Sequence, residues 1–258
     1  MTIAYAEGGD TVADRMQTSQ IRASVSAPAP RSAYWLDLLL GRAVPALFFA
    51  VFVVYKLLLI YDSYLTLTVP GAQPDATDYL WALNQLLGLG FFSLLAFLYV
   101  TRLPRRSGIR RVETTVVSFF GTFAILSLGF LPGVPPRAGT AFISDLVIAL
   151  GLGYTLWGLT YLRRSFSILP EARRLVTGGP YRLSRHPLYF GEALAATGLI
   201  IPTAGWQAIV LMVFILVAQF MRISWEEAVL LKQFPAEYAA YRRCVPKYLP
   251  RPWRLLNR

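Results

Sequence analysis

The sequence predicts an all-α, polytopic membrane protein of about six transmembrane helices, the last two forming a C-terminal helical hairpin. Three observations carry that prediction. Hydrophobic residues make up 55% of the 258 and charged residues only 15%, whereas a soluble domain of this size carries about 25% charge. The apolar residues gather in long runs, and a bilayer core needs about 20 of them in one helix. The basic residues, finally, crowd into alternate loops, as they do when those loops share the cytoplasmic side of a membrane.

Residues 1–42 are rich in Ala, Ser, Thr and Pro and have no early apolar core. They read as a disordered cytosolic N-terminal tail rather than a cleavable signal peptide. The runs 43–61, 79–100, 114–131 and 142–162 each suit one span. The run after residue 188 is broken at Pro202-Thr-Ala-Gly205, a tight turn between two shorter spans, 188–203 and 206–221. The chain therefore divides into the tail (1–42), the N-terminal transmembrane helices (43–141) and a C-terminal core (142–258) with the hairpin and its cytosolic segments.

Net charge is +11, and 23 of the 25 basic residues lie in 1–42, 102–113, 162–186 and 222–258. The loop 62–78 has none. This pattern places both termini in the cytoplasm and argues against a nucleic-acid partner, which would require one basic face. The excess of 22 arginines over 3 lysines fits a GC-rich bacterial genome, and hence a bacterial plasma membrane. Lys56, inside the first span, reads as a snorkelling or helix-packed lysine. Cys244 is the single cysteine and His186 the single histidine, so an internal disulfide, a thiolate cluster and a metal site are not expected. Gly88, Gly90, Gly151, Gly153 and Gly158 lie inside spans with no preceding strand, which fits helix packing rather than a nucleotide loop. Asn84, Gln85, Asp145 and Gln219 are expected to bond to neighbouring helices.

The hairpin has a geometric consequence. A helix rises about 1.5 Å per residue, so each arm of roughly 16 residues goes out and returns the same distance. The end at His186 must therefore meet the end at 222–227, with the two arms packed side by side. One end brings Tyr181, Arg182, Arg185, His186 and Tyr189; the other brings Arg222, Glu226 and Glu227. Charges at the edge of hydrocarbon are costly unless paired or occupied by a ligand. Plainer readings exist for single members. The arginines mark helix ends, His186-Pro187 starts a helix, and Ser224-Trp-Glu-Glu227 has the form of a capping box that would start the next helix.

These residues carry a resemblance. Leu175-Val-Thr-Gly-Gly-Pro-Tyr181, Arg185-His-Pro-Leu-Tyr189-Phe-Gly191, Glu226-Glu227, then Phe234-Pro-Ala-Glu-Tyr238 with Tyr241 and Val245-Pro246 resemble the isoprenylcysteine carboxyl methyltransferase family, whose relatives include membrane phospholipid methyltransferases. The resemblance covers roughly residues 145–250. It implies an enzyme, an integral membrane S-adenosylmethionine-dependent methyltransferase, and makes the cytosolic pieces of the core cofactor-binding segments. Carried over residue by residue, the resemblance assigns cofactor binding to Leu175, Val176, Tyr181, His186, Pro187, Leu188, Tyr189 and Glu226, and orientation of the substrate to Arg222. Glu227 is a weaker catalytic candidate, in competition with its capping-box reading. Arg173-Arg174 stands where some members have a histidine, which leaves no clear side-chain role there.

The implied reaction is O-methylation of a lipophilic acceptor, an isoprenoid or lipid carboxylate, at the cytosolic membrane face. The bilayer and a lipophilic or lipidated substrate are the implied partners. Phospholipid N-methylation is the near alternative. Membrane sterol reductases, which bind NADPH, share a related motif closer to R-x-x-N-Y-x-G, and Pro187-Leu188 before Tyr189 favours the methyltransferase branch. A transporter or membrane-anchored regulator is the non-enzyme alternative; it expects charges at mid-membrane rather than at one edge.

Overall fold

The computed structural model describes residues 42–103, 107–108, 112–128, 138–202 and 205–251. The expected tail, apart from Arg42, lies outside the described residues, as do Thr203 and Ala204 of the expected turn. The described chain is helical: α1 Val44–Thr68, α2 Ala76–Thr101, α3 Val112–Ser127, α4 Ala138–Leu162, α5 Pro187–Ile200, α6 Trp206–Gln233 and α7 Pro235–Cys244. Short 3-10 turns at Arg163–Ser165 and Gly179–Arg182 and a two-residue antiparallel pair, β1 Ser107–Gly108 with β2 Glu171–Ala172, fill the connections. All six apolar helices expected from the sequence are present. Four of them are long and apolar enough to cross a membrane, α3 is a shorter apolar helix, and α5 has only 14 residues.

Local sequence explains the starts of these helices. Pro45 occupies the first turn of α1, where a missing N–H costs nothing. Asp75 caps α2 by accepting from Thr77 N (2.7 Å) and Asp78 N (3.1 Å), while Asp78 accepts from Asp75 N at 2.9 Å. Within α1, Ser63 and Thr68 return their hydroxyls to Leu59 O (2.8 Å) and Tyr64 O (2.7 Å), as polar side chains must in a lipid solvent. Large apolar side chains such as Leu47 and Leu58 are left exposed on the outside.

The packing is a chain of neighbours: α1 on α2, α2 on α4, α4 on α5, and α3 on α6. α4 and α5 come closest because glycines let them. A Cβ at Gly151 would stand 2.4 Å from Ala195 N, and one at Gly191 would stand 2.8 Å from Gly151 O. Small residues at such crossings are what helix packing in a bilayer selects. Gly88 lies under the Lys56 side chain, whose Nζ donates to Gln85 Oε1 at 2.8 Å; Asn84 Nδ2 donates to Asp145 Oδ1 at 2.8 Å. Gly153 faces open space, so the packing role expected for it is absent.

Two expectations about the hairpin are corrected. α6 does not stop at Met221 but runs unbroken to Gln233. Ser224 lies inside it and donates its hydroxyl to Phe220 O at 3.0 Å, so Ser224-Trp-Glu-Glu227 is not a capping box. The arms of the hairpin, moreover, are not each other's main packing partners: α5 lies chiefly on α4 and α6 chiefly on α3. The ends of the arms still meet, through side chains.

Candidate active site

The segment from Gly178 to His186 carries much of the site. Gly179 adopts a left-handed φ of +57°, and a Cβ there would lie 2.5 Å from the Tyr161 ring, so glycine is required on both counts. The 3-10 turn that follows buries Pro180 and Tyr181. Ser184 is fully buried; its hydroxyl donates to Tyr248 O (2.7 Å) and accepts from His186 N (3.2 Å). The C-terminal segment straps this loop down. Arg185 N donates to Pro246 O (2.9 Å), Arg251 N to Leu183 O (3.1 Å), and Tyr241 OH to Tyr181 O (2.6 Å). The Phe234–Pro246 part of the motif is thus the scaffold of the Tyr181–His186 part. Burial raises the phenol pKa values of Tyr181, Tyr238 and Tyr241 above the ordinary range, so all three rings stay neutral, and Tyr241 donates its hydroxyl to the Tyr181 carbonyl.

His186 ends the loop and Pro187 opens α5, which fixes His186, Tyr189 and Glu192 one turn apart. Across from them α6 presents Glu227, Glu226, Arg222 and Gln219. The contacts form a ladder. At the outer end, Glu227 gathers three cationic or imidazole groups: Arg185 Nη1 at 3.0 Å, His186 Nε2 at 3.2 Å and Lys247 Nζ at 3.6 Å. In the middle, Tyr189 OH donates to Glu226 Oε1. At the inner end, Gln219 Nε2 donates to Glu192 Oε2 at 3.1 Å.

Arg222 stands beside the middle rung, 5% exposed. Its guanidinium lies 4.9 Å from the centre of the Tyr189 ring, within cation–π range, and Nη2 donates to Ile168 O at 3.3 Å. Nε and Nη1 are buried and have no partner. A buried cation with unmade hydrogen bonds costs several times what an exposed one does.

A cavity of about 130 Å³ opens between these elements. Leu175, Val176, Tyr181, His186, Pro187, Leu188, Tyr189 and Glu226 all line it, together with Arg222. Glu227 does not line it, and its carboxylate is engaged by the cluster behind His186. Arg173 turns to Glu171, with Nη2 2.6 Å from Oε2 and both side chains 2% exposed. No group of three or more His, Cys, Asp or Glu side chains suited to a metal occurs among the described residues.

Residues 140–237 match the model of the phospholipid methyltransferase family. The family resemblance carried by the motif residues is thereby borne out over this segment. A curated relative, the cobalt-zinc-cadmium resistance protein CzcN of Cupriavidus metallidurans, is 35% identical over 157 residues, 59% of this chain. The chain spans 66% of that relative's length.

The family segment supplies α4, the loop, α5, α6 and the start of α7, but it does not close the cavity. Phe49 of α1, Phe91 and Leu95 of α2 and Thr122 of α3 complete the wall; sequence reasoning missed the first three because apolar residues in an apolar span carry no signal, and Thr122 because a hydroxyl bonded back to its own helix, here to Ser118 O, is ordinary in a span. It also passed over Glu192, Tyr238 and Tyr241 as site residues. Glu192 was within reach of a periodicity argument, since it stands one turn beyond Tyr189 on the same face.

Proposed function

We propose that this protein is an integral membrane S-adenosylmethionine-dependent methyltransferase that O-methylates a lipophilic carboxylate, of isoprenoid or lipid type, at the cytosolic face of a bacterial plasma membrane. The observation that carries the reading is Arg222: a buried guanidinium with two unpartnered nitrogens, Nε and Nη1, on the wall of the cavity that the family motif also lines. Such a group calls for an anionic oxygen.

The cavity chemistry fits the cofactor. Glu226 offers a carboxylate for a cationic group, the tyrosine rings offer faces for stacking or cation–π contact, and Leu175, Val176 and Leu188 offer apolar surface. S-adenosylmethionine, when bound, supplies an electrophilic methyl group on a sulfonium. The protein's own part is alignment and exclusion of water, from which proximity alone can gain several kcal/mol (about 7–11 at best). Tyr189 holds the Glu226 carboxylate in place through its hydroxyl. Arg222 orients the acceptor oxygen, and a carboxylate acceptor has no proton to lose. Glu227, turned toward Arg185, His186 and Lys247, acts in this reading by fixing His186 at the cavity wall rather than by moving a proton. The basic loops and both termini face the cytoplasm, which is where a water-soluble cofactor would arrive, while the acceptor comes from the lipid.

The family match supports a second reading, N-methylation of a phospholipid amine. Calorimetric titration of the detergent-purified protein with S-adenosylhomocysteine, and in parallel with NADPH, tests the cofactor. Binding of the first alone is expected. Binding of NADPH alone would move the protein to the reductase branch, and binding of neither would remove the enzyme reading.

A further inference from the structure

Glu192 lines the cavity but has no part in the chemistry above. It reaches from α5 toward α6, where Gln219 Nε2 donates to its Oε2 at 3.1 Å. Gln219 itself is 4% exposed and stands one helical turn before Arg222. Side chains three apart on a helix start only about 5–6 Å from one another, so the Glu192 carboxylate is one side-chain swing from the Arg222 guanidinium. The two nevertheless form no ion pair, and Nε and Nη1 of Arg222 stay unpartnered in a buried setting. A buried arginine and a half-buried carboxylate this close would close on each other unless one were held elsewhere.

We propose that Gln219 is a positioning residue for the acceptor. Its amide engages Glu192, keeps that carboxylate off Arg222, and so leaves two nitrogens of the guanidinium, Nε and Nη1, open for the anionic oxygen of the acceptor. Glu192 remains near enough to balance the buried positive charge without occupying its donors. This inference rests on the reading of Arg222 as the group that orients the acceptor. It differs from a plain interhelical hydrogen bond, which would add stability but would leave the state of Arg222 indifferent to Gln219.

The test uses Gln219→Met in the full-length protein, a change that keeps the volume and removes the donor. Arg222 is labelled with phenylglyoxal and read by peptide mass spectrometry, and the affinity for oleate, as a lipophilic carboxylate probe, is measured alongside. Glu192 is expected to close on Arg222. Labelling and oleate affinity should each fall about tenfold, the scale of one pre-empted charge-assisted hydrogen bond, with S-adenosylhomocysteine affinity unchanged. Glu192→Gln in the same background should restore both. Unaltered Arg222 labelling in Gln219→Met, or no recovery in the double variant, overturns the proposal. Should Gln219→Met fail to fold, Glu192→Gln alone decides: it leaves the arms joined by two amides and must show undiminished labelling. A fall would mean that Glu192 itself holds Arg222 open. If wild type and Arg222→Ala bind oleate alike, the acceptor reading fails, while the labelling arm still judges Gln219.

Discussion

Glu226→Gln is the sharpest single change available in the site. The carboxylate of Glu226 lines the cavity and accepts the hydroxyl of Tyr189. The amide is isosteric and its oxygen can still accept that hydroxyl, so the rung between α5 and α6 survives while the negative charge is lost. What disappears, in the proposed reading, is the pairing of Glu226 with a cationic group of the cofactor. Hydrogen bonds to charged groups contribute about 1.5–3 kcal/mol, which corresponds to a rise in Kd of about 10- to 150-fold. The assay is calorimetry with S-adenosylhomocysteine on detergent-purified protein, with a thermal melt to confirm that the fold is intact. A Tyr189→Phe control separates holding from binding: it leaves the charge in place but frees it to move, and it should weaken binding less than Glu226→Gln. Unchanged affinity in Glu226→Gln, with a normal melt, would take Glu226 out of the cofactor site and undo the assignment of the middle rung.

Gly191→Ala should lower the melting temperature, since the new Cβ would stand 2.2 Å from Thr155 Oγ1 and 2.8 Å from Gly151 O; overpacking of this kind costs about 1–3 kcal/mol, and an unchanged melt would show that α4 and α5 can part freely. Tyr241→Phe removes the 2.6 Å bond to the Tyr181 carbonyl and should cost about 1 kcal/mol at neutral pH. The same variant tests the raised phenol pKa of Tyr241. A folded-state pKa above the unfolded value of about 10 gives stability that is complete below that pH and is lost as pH rises toward the folded value, so the variant should lose less stability than wild type in an alkaline melt series. Phe91→Ala, which opens the wall contributed by α2, should change the preferred chain length of the acceptor and leave S-adenosylhomocysteine affinity within about twofold, the ordinary scatter of a surface-neutral change; a tenfold loss would place Phe91 against the cofactor instead.

Most of the helical frame was legible because hydropathy reports what lipid demands, and lipid demands apolar runs. The same signal misread α6. It ends at Met221, where the apolar run stops, but the helix does not: the ladder residues Arg222, Glu226 and Glu227 sit on a continuous helix that outlasts its lipid-facing part. The capping-box pattern at Ser224 pointed the wrong way because a serine in a helix can also bond back to the carbonyl four residues before it, as Ser224 does to Phe220. That the His186 end meets the 222–227 end followed from the hairpin alone, without knowing that α5 lies mainly on α4; the pairing of His186 with Glu227 and of Tyr189 with Glu226 did not. The wall from α1 and α2 did not follow from anything, because a phenylalanine lining a cavity and one facing lipid look the same in a sequence.

The arrangement of the cavity explains why the family segment can be matched over residues 140–237 while the first helices carry no motif. The groups that would handle the cofactor are polar, and each is fixed by another residue of the same segment or its C-terminal strap: Tyr181 by Tyr241, the loop at His186 by Ser184 and Pro246, Glu226 by Tyr189. Such interlocked polar sets tolerate little change, because removing one partner leaves the other buried and unpaired. Phe49, Phe91 and Leu95 meet the same cavity through apolar surface, where only volume and shape matter and substitutions of similar size are cheap. Chemistry that must stay constant is therefore written in the C-terminal half as a recognisable pattern. In the proposed reading the choice of acceptor chain falls to the N-terminal helices as volume, which a motif cannot record.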